Sequence, residues 1–271
     1  MRKDVVWLFG ALLFAAWGGN LWYFEAVKVE KPLFLEHYYE IPVDLLSHQR
    51  MYYIADRQSR REPIQIRVNE EFNLYVEQIS TRSERGRLKL QEAVVRPSSE
   101  AHRGMNEPFR FREATVYYND GTEDVVSLGE WIVHPNASFS NKVEFSYGKS
   151  SSDGTGSSGG TVREQVTIAS VAYSFPDLLS DAIDVAANGN SVRGEGTFPM
   201  TLREGDALDV SYTFRLPDDD ERRFHAYQLM IKLLDERGRI VNVQFINDQP
   251  RLYDEHLREY VRWREGGGAA R

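Results

Sequence analysis

Two hydrophobic patterns divide the chain. From Val5 to Phe24 the run VVWLFGALLFAAWGGNLWYF carries no charge. Its length of about 20 residues, at ~1.5 Å each in a helix, matches a hydrocarbon core about 30 Å thick. From Pro63 onward the period is two. Ile64, Ile66 and Val68 alternate with Gln65 and Arg67, and Phe72, Leu74 and Val76 alternate with Asn73, Tyr75 and Glu77. Val143, Phe145 and Tyr147 follow the same rule, as do Leu208, Val210, Tyr212, Phe214 and Leu216. Such alternation marks strands with one face in a core.

Turn-formers separate these segments. Asn119-Asp120-Gly121, between Ala114–Tyr118 and Asp124–Val133, predicts a hairpin. Glu236-Arg237-Gly238, between Tyr227–Leu234 and Ile240–Ile246, predicts another. Val166 to Phe175 reads as a strand pair or one bulged strand. Asp177 to Ala187 predicts a short helix stopped by Asn188-Gly189. Leu252 to Arg264 predicts a second, with Tyr253, Leu257, Tyr260 and Val261 on one stripe. The order of elements is antiparallel rather than βαβ, and no internal repeat aligns the two halves.

The expected fold is mainly β: an N-terminal transmembrane helix, one or two antiparallel β-sandwiches of immunoglobulin-like kind, and a short C-terminal helix. Residues 1–4 form a cytoplasmic head and 5–24 the anchor. Residues 25–61 are juxtamembrane, with a strand near His37–Val43 and a short helix within Ser47–Arg61. Sandwiches are expected over 62–148 and 162–250. Between them, residues 149–161 contain the run SSSDGTGSSGG, which reads as a flexible linker or loop. Residues 251–271 hold the terminal helix and tail.

The anchor is assigned to Val5, Trp7, Leu12, Leu13, Phe14, Trp17, Leu21, Trp22, Tyr23 and Phe24. Trp7 near one end and Trp22-Tyr23 near the other suit the two headgroup levels. The four-residue basic head stays inside and the long body is carried outside, placing the protein in the cell membrane as a single-pass chain. Gly18-Gly19-Asn20 interrupts the apolar run, and Ala16-Trp17-Gly18 fits a small-x-small cleavage site. Cleavage there would make the protein secreted.

Charge and composition narrow the function. The net charge is −8 and the head contributes +1, so the remainder is acidic. That argues against nucleic acid as a partner, because phosphate binding relies on excess Lys and Arg. There is no cysteine, which excludes disulfides, thiol nucleophiles and thiolate metal sites. A cysteine-free exported β protein leans bacterial.

No catalytic, metal or cofactor signature emerges. Gly148-Lys149-Ser150 resembles the end of a P-loop, but Val143 occupies the position of its first glycine. The six histidines lack ligand spacing. Asn119, Asp120, Glu123 and Asp124 read as a hairpin turn rather than a calcium loop, and Asp218 to Glu221 as a solvated connection. Tyr117, Tyr118, Trp131, Tyr147 and Tyr173 could build a sugar platform, but most such strand aromatics belong to a core. Tyr38, Tyr39, Tyr52 and Tyr53, just beyond the anchor, offer either a partner surface or packing against the body. The leading reading is binding or assembly at the cell envelope, with the bilayer held through 5–24 and an envelope protein or glycan as partner. An envelope polysaccharide hydrolase, and a sensor or accessory subunit of a membrane complex, are the alternatives.

Overall fold

The computed structural model describes residues 7, 9, 11–19, 28–98, 105, 107–135, 142–194 and 197–265. The body is mainly β and encloses two hydrophobic cores.

A single sheet wraps the first core. It contains β1 (Leu33–Phe34), β2 (His37–Pro42), β3 (Gln49–Asp56), β4 (Pro63–Arg67), β5 (Asn73–Arg85), β6 (Leu88–Pro97), β7 (Phe109–Tyr118) and β8 (Glu123–His134), in the order β1-β3-β6-β5-β4-β7-β8-β2. The two ends of that order, β1 and β2, are successive strands separated by Leu35 and Glu36. The sheet therefore curls until one short stretch of chain meets both of its edges. At the seam the Leu35 amide donates to the Tyr52 carbonyl at 2.9 Å. The Tyr52 amide donates to His37 Nε2 at 2.8 Å. Inside lie Phe34, Leu35, Ile41, Met51, Tyr53 and Trp131, each at most 2 % exposed.

The second core is a two-sheet sandwich. One layer runs β9 (Val143–Ser150), β10 (Thr155–Val162), β15 (Ala207–Phe214), β12 (Ile183–Ala187) and β13 (Asn190–Ser191). The other is built from β11 (Val166–Tyr173), β14 (Met200–Leu202), β16 (Ala226–Asp235) and β17 (Ile240–Asp248). β11 is a single strand with a register shift between Ile168 and Ser170.

β2 joins the two bodies. It pairs in parallel with β8 on one side and with β16 on the other. Approach to β8 depends on Gly129, opposite His37, at φ 85°; a Cβ there would lie 2.5 Å from the His37 carbonyl oxygen. Only glycine meets both demands. A buried polar cluster then ties the three strands together. Glu40 of β2 accepts from Lys232 Nζ of β16 at 2.7 Å and faces His134 Nε2 of β8, also at 2.7 Å. Burial alone would raise the Glu40 carboxyl, but hydrogen bonds from His134, Lys232 and Ser174 and the Lys232 charge outweigh it and bring it down to about 2.

The C-terminal helix, α2 (Leu257–Glu265), returns to the first core, where Leu257, Tyr260 and Val261 are buried. It is preceded by a short turn of 3-10 helix at Asp254–His256. Arg264 of this helix is paired with Glu36, both largely buried.

Four expectations are corrected. The stretch 25–61, expected to be juxtamembrane, belongs to the first body from residue 28 onward: β1, β2 and β3 supply part of its core, β2 is the strand expected near His37–Val43, and Gln49–Asp56 is a strand where a helix was expected. The serine–glycine run is no linker. It forms the end of β9, a tight turn and β10. Gly156 lies opposite Tyr212, whose ring occupies the place of a glycine Cβ at 2.4 Å, so the absent side chain is what admits the ring. The segment Asp177–Ala187 forms only one helical turn, α1 (Pro176–Leu179), before β12. Third, then, that helix fails because Ile183, Val185 and Ala187 alternate inward along β15. Fourth, the first body is not confined to 62–148, since residues from both ends of the chain complete its core.

Candidate functional site

The return of the chain from the sandwich to the first core creates a cleft. β17 ends at Asp248, Pro250 follows, and Leu252 is already buried in the first core. The connecting strap, 247–255, forms one wall of a cleft of about 950 Å³. Tyr52, Arg82, Ser83 and Leu90 of the first body form another wall. Tyr212 and Phe214 of β15 and, from the β9–β10 turn, Ser150, Ser151, Ser152 and Gly154 complete it.

The walls are held by specific bonds. Asp153 Oδ1 accepts from the Thr155 amide at 3.0 Å and from its hydroxyl at 2.7 Å, which fixes the β9–β10 turn. Arg82 Nη2 donates to Gln249 Oε1 at 2.6 Å across the cleft, while its Nε lies 3.3 Å from Glu92 Oε2. The Arg251 amide donates to the Arg223 carbonyl at 2.8 Å, anchoring the strap.

Asp248 is the most perturbed acid of the cleft. One oxygen lies 3.8 Å from Arg251 Nη2, beyond hydrogen-bond range. The other is buried with no hydrogen-bond partner among the described residues. Burial raises its carboxyl above the ordinary range, against the opposing pull of Arg251. Burial and the Asp248 charge both raise the neighbouring Tyr212 hydroxyl, and burial pushes Tyr52 up to about 12.

The tyrosines singled out from the sequence lie elsewhere in role. Tyr39, Tyr52 and Tyr53 are 4 %, 3 % and 0 % exposed and Tyr38 is half-buried. Tyr39 donates to the Arg50 carbonyl at 2.7 Å and packs on Trp131. Tyr38 stacks on Tyr227 at the junction of the bodies. These rings close the barrel seam and the junction rather than forming a partner surface, because both faces of β2 and β3 are covered. Of the platform aromatics, Tyr118 and Trp131 are core and Tyr147 is 42 % exposed. Asp120 accepts from both the amide and hydroxyl of Thr122, as a turn residue does, and Asp124 is paired with Arg61 and Lys31. Among the described residues no group of three metal-ligating side chains assembles.

Of the anchor residues, Trp7, Leu12, Leu13, Phe14 and Trp17 are helical and 62–85 % exposed. Val5, Leu21, Trp22, Tyr23 and Phe24 lie outside the described residues. Among the described residues no helix is long and apolar enough to cross a membrane. Sequence reasoning missed Asp248 and Arg251, whose available signal was an acid and a base three residues apart around Pro250, a spacing that a plain turn shares. It placed Tyr253 on the stripe of the C-terminal helix, but that helix begins at Leu257 and Tyr253 lies before it, 62 % exposed.

No family model and no curated protein sequence matches the chain. Among solved structures, the YadV chaperone is similar at 8 % identity, covering 80 % of this chain and 98 % of that one, with a TM-score of 0.22. The E. coli chaperone DraB is similar at 8 % identity, covering 81 % and 98 %, with a TM-score of 0.20. Fibronectin(III)-like modules of Clostridium thermocellum CbhA follow at 9 % identity, covering 80 % and 93 %, with a TM-score of 0.17. At scores this low, neither a shared fold nor a function transfers from these proteins to this chain.

Proposed function

We propose that this is a membrane-tethered protein of the cell envelope whose β body stands outside the membrane and works by binding. The observation that carries the tether is the helical stretch 11–19, in which every residue is apolar or glycine and the large side chains are exposed. A helix that is apolar all round and uncovered by its own protein has lipid as its natural solvent. The strand orders β9-β10-β15-β12 and β11-β16-β17 support an immunoglobulin-like sandwich, since they reproduce the A-B-E-D and C-F-G layers of that fold. The cleft between the bodies supplies a place to bind.

Fractionation tests the tether. The full chain is expected to stay with membranes through an alkaline wash, and Leu12→Lys with Phe14→Lys to release it. A wild-type chain found in the soluble fraction would reject the tether. A second reading, hydrolysis of an envelope polysaccharide, has one observation in its favour: Asp248 is a half-buried cleft carboxyl that burial raises above its ordinary range, the direction a general acid needs. Loss of glycan turnover in Asp248→Asn would separate hydrolysis from binding alone.

A further inference from the structure

We propose that the cleft takes a neutral oligosaccharide several rings long. The inference rests on the reading of the protein as a binding module and names the ligand class of its cleft.

At about 950 Å³ the cleft lies near the upper end of the ~300–1,000 Å³ span of small-ligand sites, which suits a short polymer better than one ring. Its walls carry planar groups at close quarters: Arg82 beside Gln249, Arg251 near Asp248, and Asn247 at the start of the strap. A sugar hydroxyl both donates and accepts, and neighbouring hydroxyls are met best by planar amides, guanidiniums and carboxylates. Asp248 lines the cleft with Oδ1 3.8 Å from Arg251 Nη2, while its Oδ2 is enclosed by protein. Tyr253, 62 % exposed and lining the cleft, offers a ring face to the apolar side of a pyranose.

The charges disfavour an anionic polymer. Arg82 faces Glu92 and Arg251 faces Asp248, so neither guanidinium stands as a free cation. An extended peptide would use the open edge of β17, but that strand ends at Asp248 and Pro250 follows, leaving few main-chain groups beside the cleft.

The test uses the full chain in lipid nanodiscs, titrated calorimetrically with chitotetraose, cellotetraose and maltotetraose, and with a pool of synthetic twelve-residue peptides. At least one tetrasaccharide is expected to bind with a Kd on the order of millimolar or tighter. Tyr253→Ala and Asn247→Ala, both at exposed positions, are each expected to weaken it about tenfold with an unchanged melting temperature. Saturable peptide binding without saccharide binding overturns the proposal. So does saccharide binding that both variants leave intact, or no binding by any probe. A chain that floats with membranes but binds no saccharide rejects the glycan and leaves the tether standing; one that binds saccharide but stays soluble does the reverse.

Discussion

Replacing Glu40 by Gln tests the polar cluster at the junction through its dependence on pH. The Glu40 carboxyl falls from its ordinary 4.5 to about 2 in the folded protein. The folded value lies below the unfolded one, so ionised Glu40 stabilises the fold at neutral pH and the contribution is lost as pH falls from about 5 toward 2. The shift corresponds to about 3 kcal/mol at pH 7 and leaves about 1 kcal/mol at pH 3. Gln keeps the shape and one acceptor oxygen but cannot titrate. Urea unfolding, followed by fluorescence of the buried Trp131 that packs on the same strand, measures the wild type and Glu40→Gln at pH 7, 5 and 3. The stability gap is expected to shrink by about 2 kcal/mol between pH 7 and pH 3. A gap that stays constant across that range would show that the Glu40 charge is not coupled to folding, and the electrostatic account of the junction would fail.

Other perturbations probe the same architecture. Gly129→Ala is expected to cost at least about 3 kcal/mol, from a strained positive φ and a clash with the His37 backbone; a loss below about 1 kcal/mol in denaturation would contradict the close approach of β2. Arg264→Ala leaves Glu36 buried without its cation, so hydrogen exchange over Leu257–Glu265 is expected to accelerate as a contact worth about 3–5 kcal/mol is broken. Unchanged exchange would mean that the helix docks without the pair. Gly156→Val should lower the melting temperature, because the Tyr212 ring already fills the space; an unchanged value would show that the ring moves freely.

Much of the sheet content was legible because one face of most strands is buried. Both hairpins formed where the turn residues stood: β7 meets β8 around Asn119-Asp120-Gly121, and β16 meets β17 around Glu236-Arg237-Gly238. The C-terminal helix also appeared, with Leu257, Tyr260 and Val261 inward, but it begins at Leu257 rather than Leu252 and leaves Tyr253 of the expected stripe exposed. The failures share a cause. β10 holds its place through what its partners contribute, rings from Tyr212 and Tyr147 over Gly156 and Gly159, and a run of serine and glycine carries no trace of them. The tyrosine pairs misled similarly: alternation implies one exposed face, but β2 and β3 sit at a seam covered on both. The cleft was illegible because its walls come from residues 52, 82, 150, 212 and 248–255, which meet only after the chain has crossed between bodies.

The position of β2 also orders events in time. It is among the first body segments to leave the ribosome, yet one of its two neighbours, β16, begins at residue 226. Until that residue emerges, β2 can pair with β8 alone, and its other edge remains an open template for a foreign strand. Contacts so distant along the chain form slowly, since a large loop must close before they add stability. Completion of the junction therefore waits until residue 226 and the strand that follows it have been made. A chain truncated before residue 226 would keep the edge that invites aggregation and lack the strand that covers it.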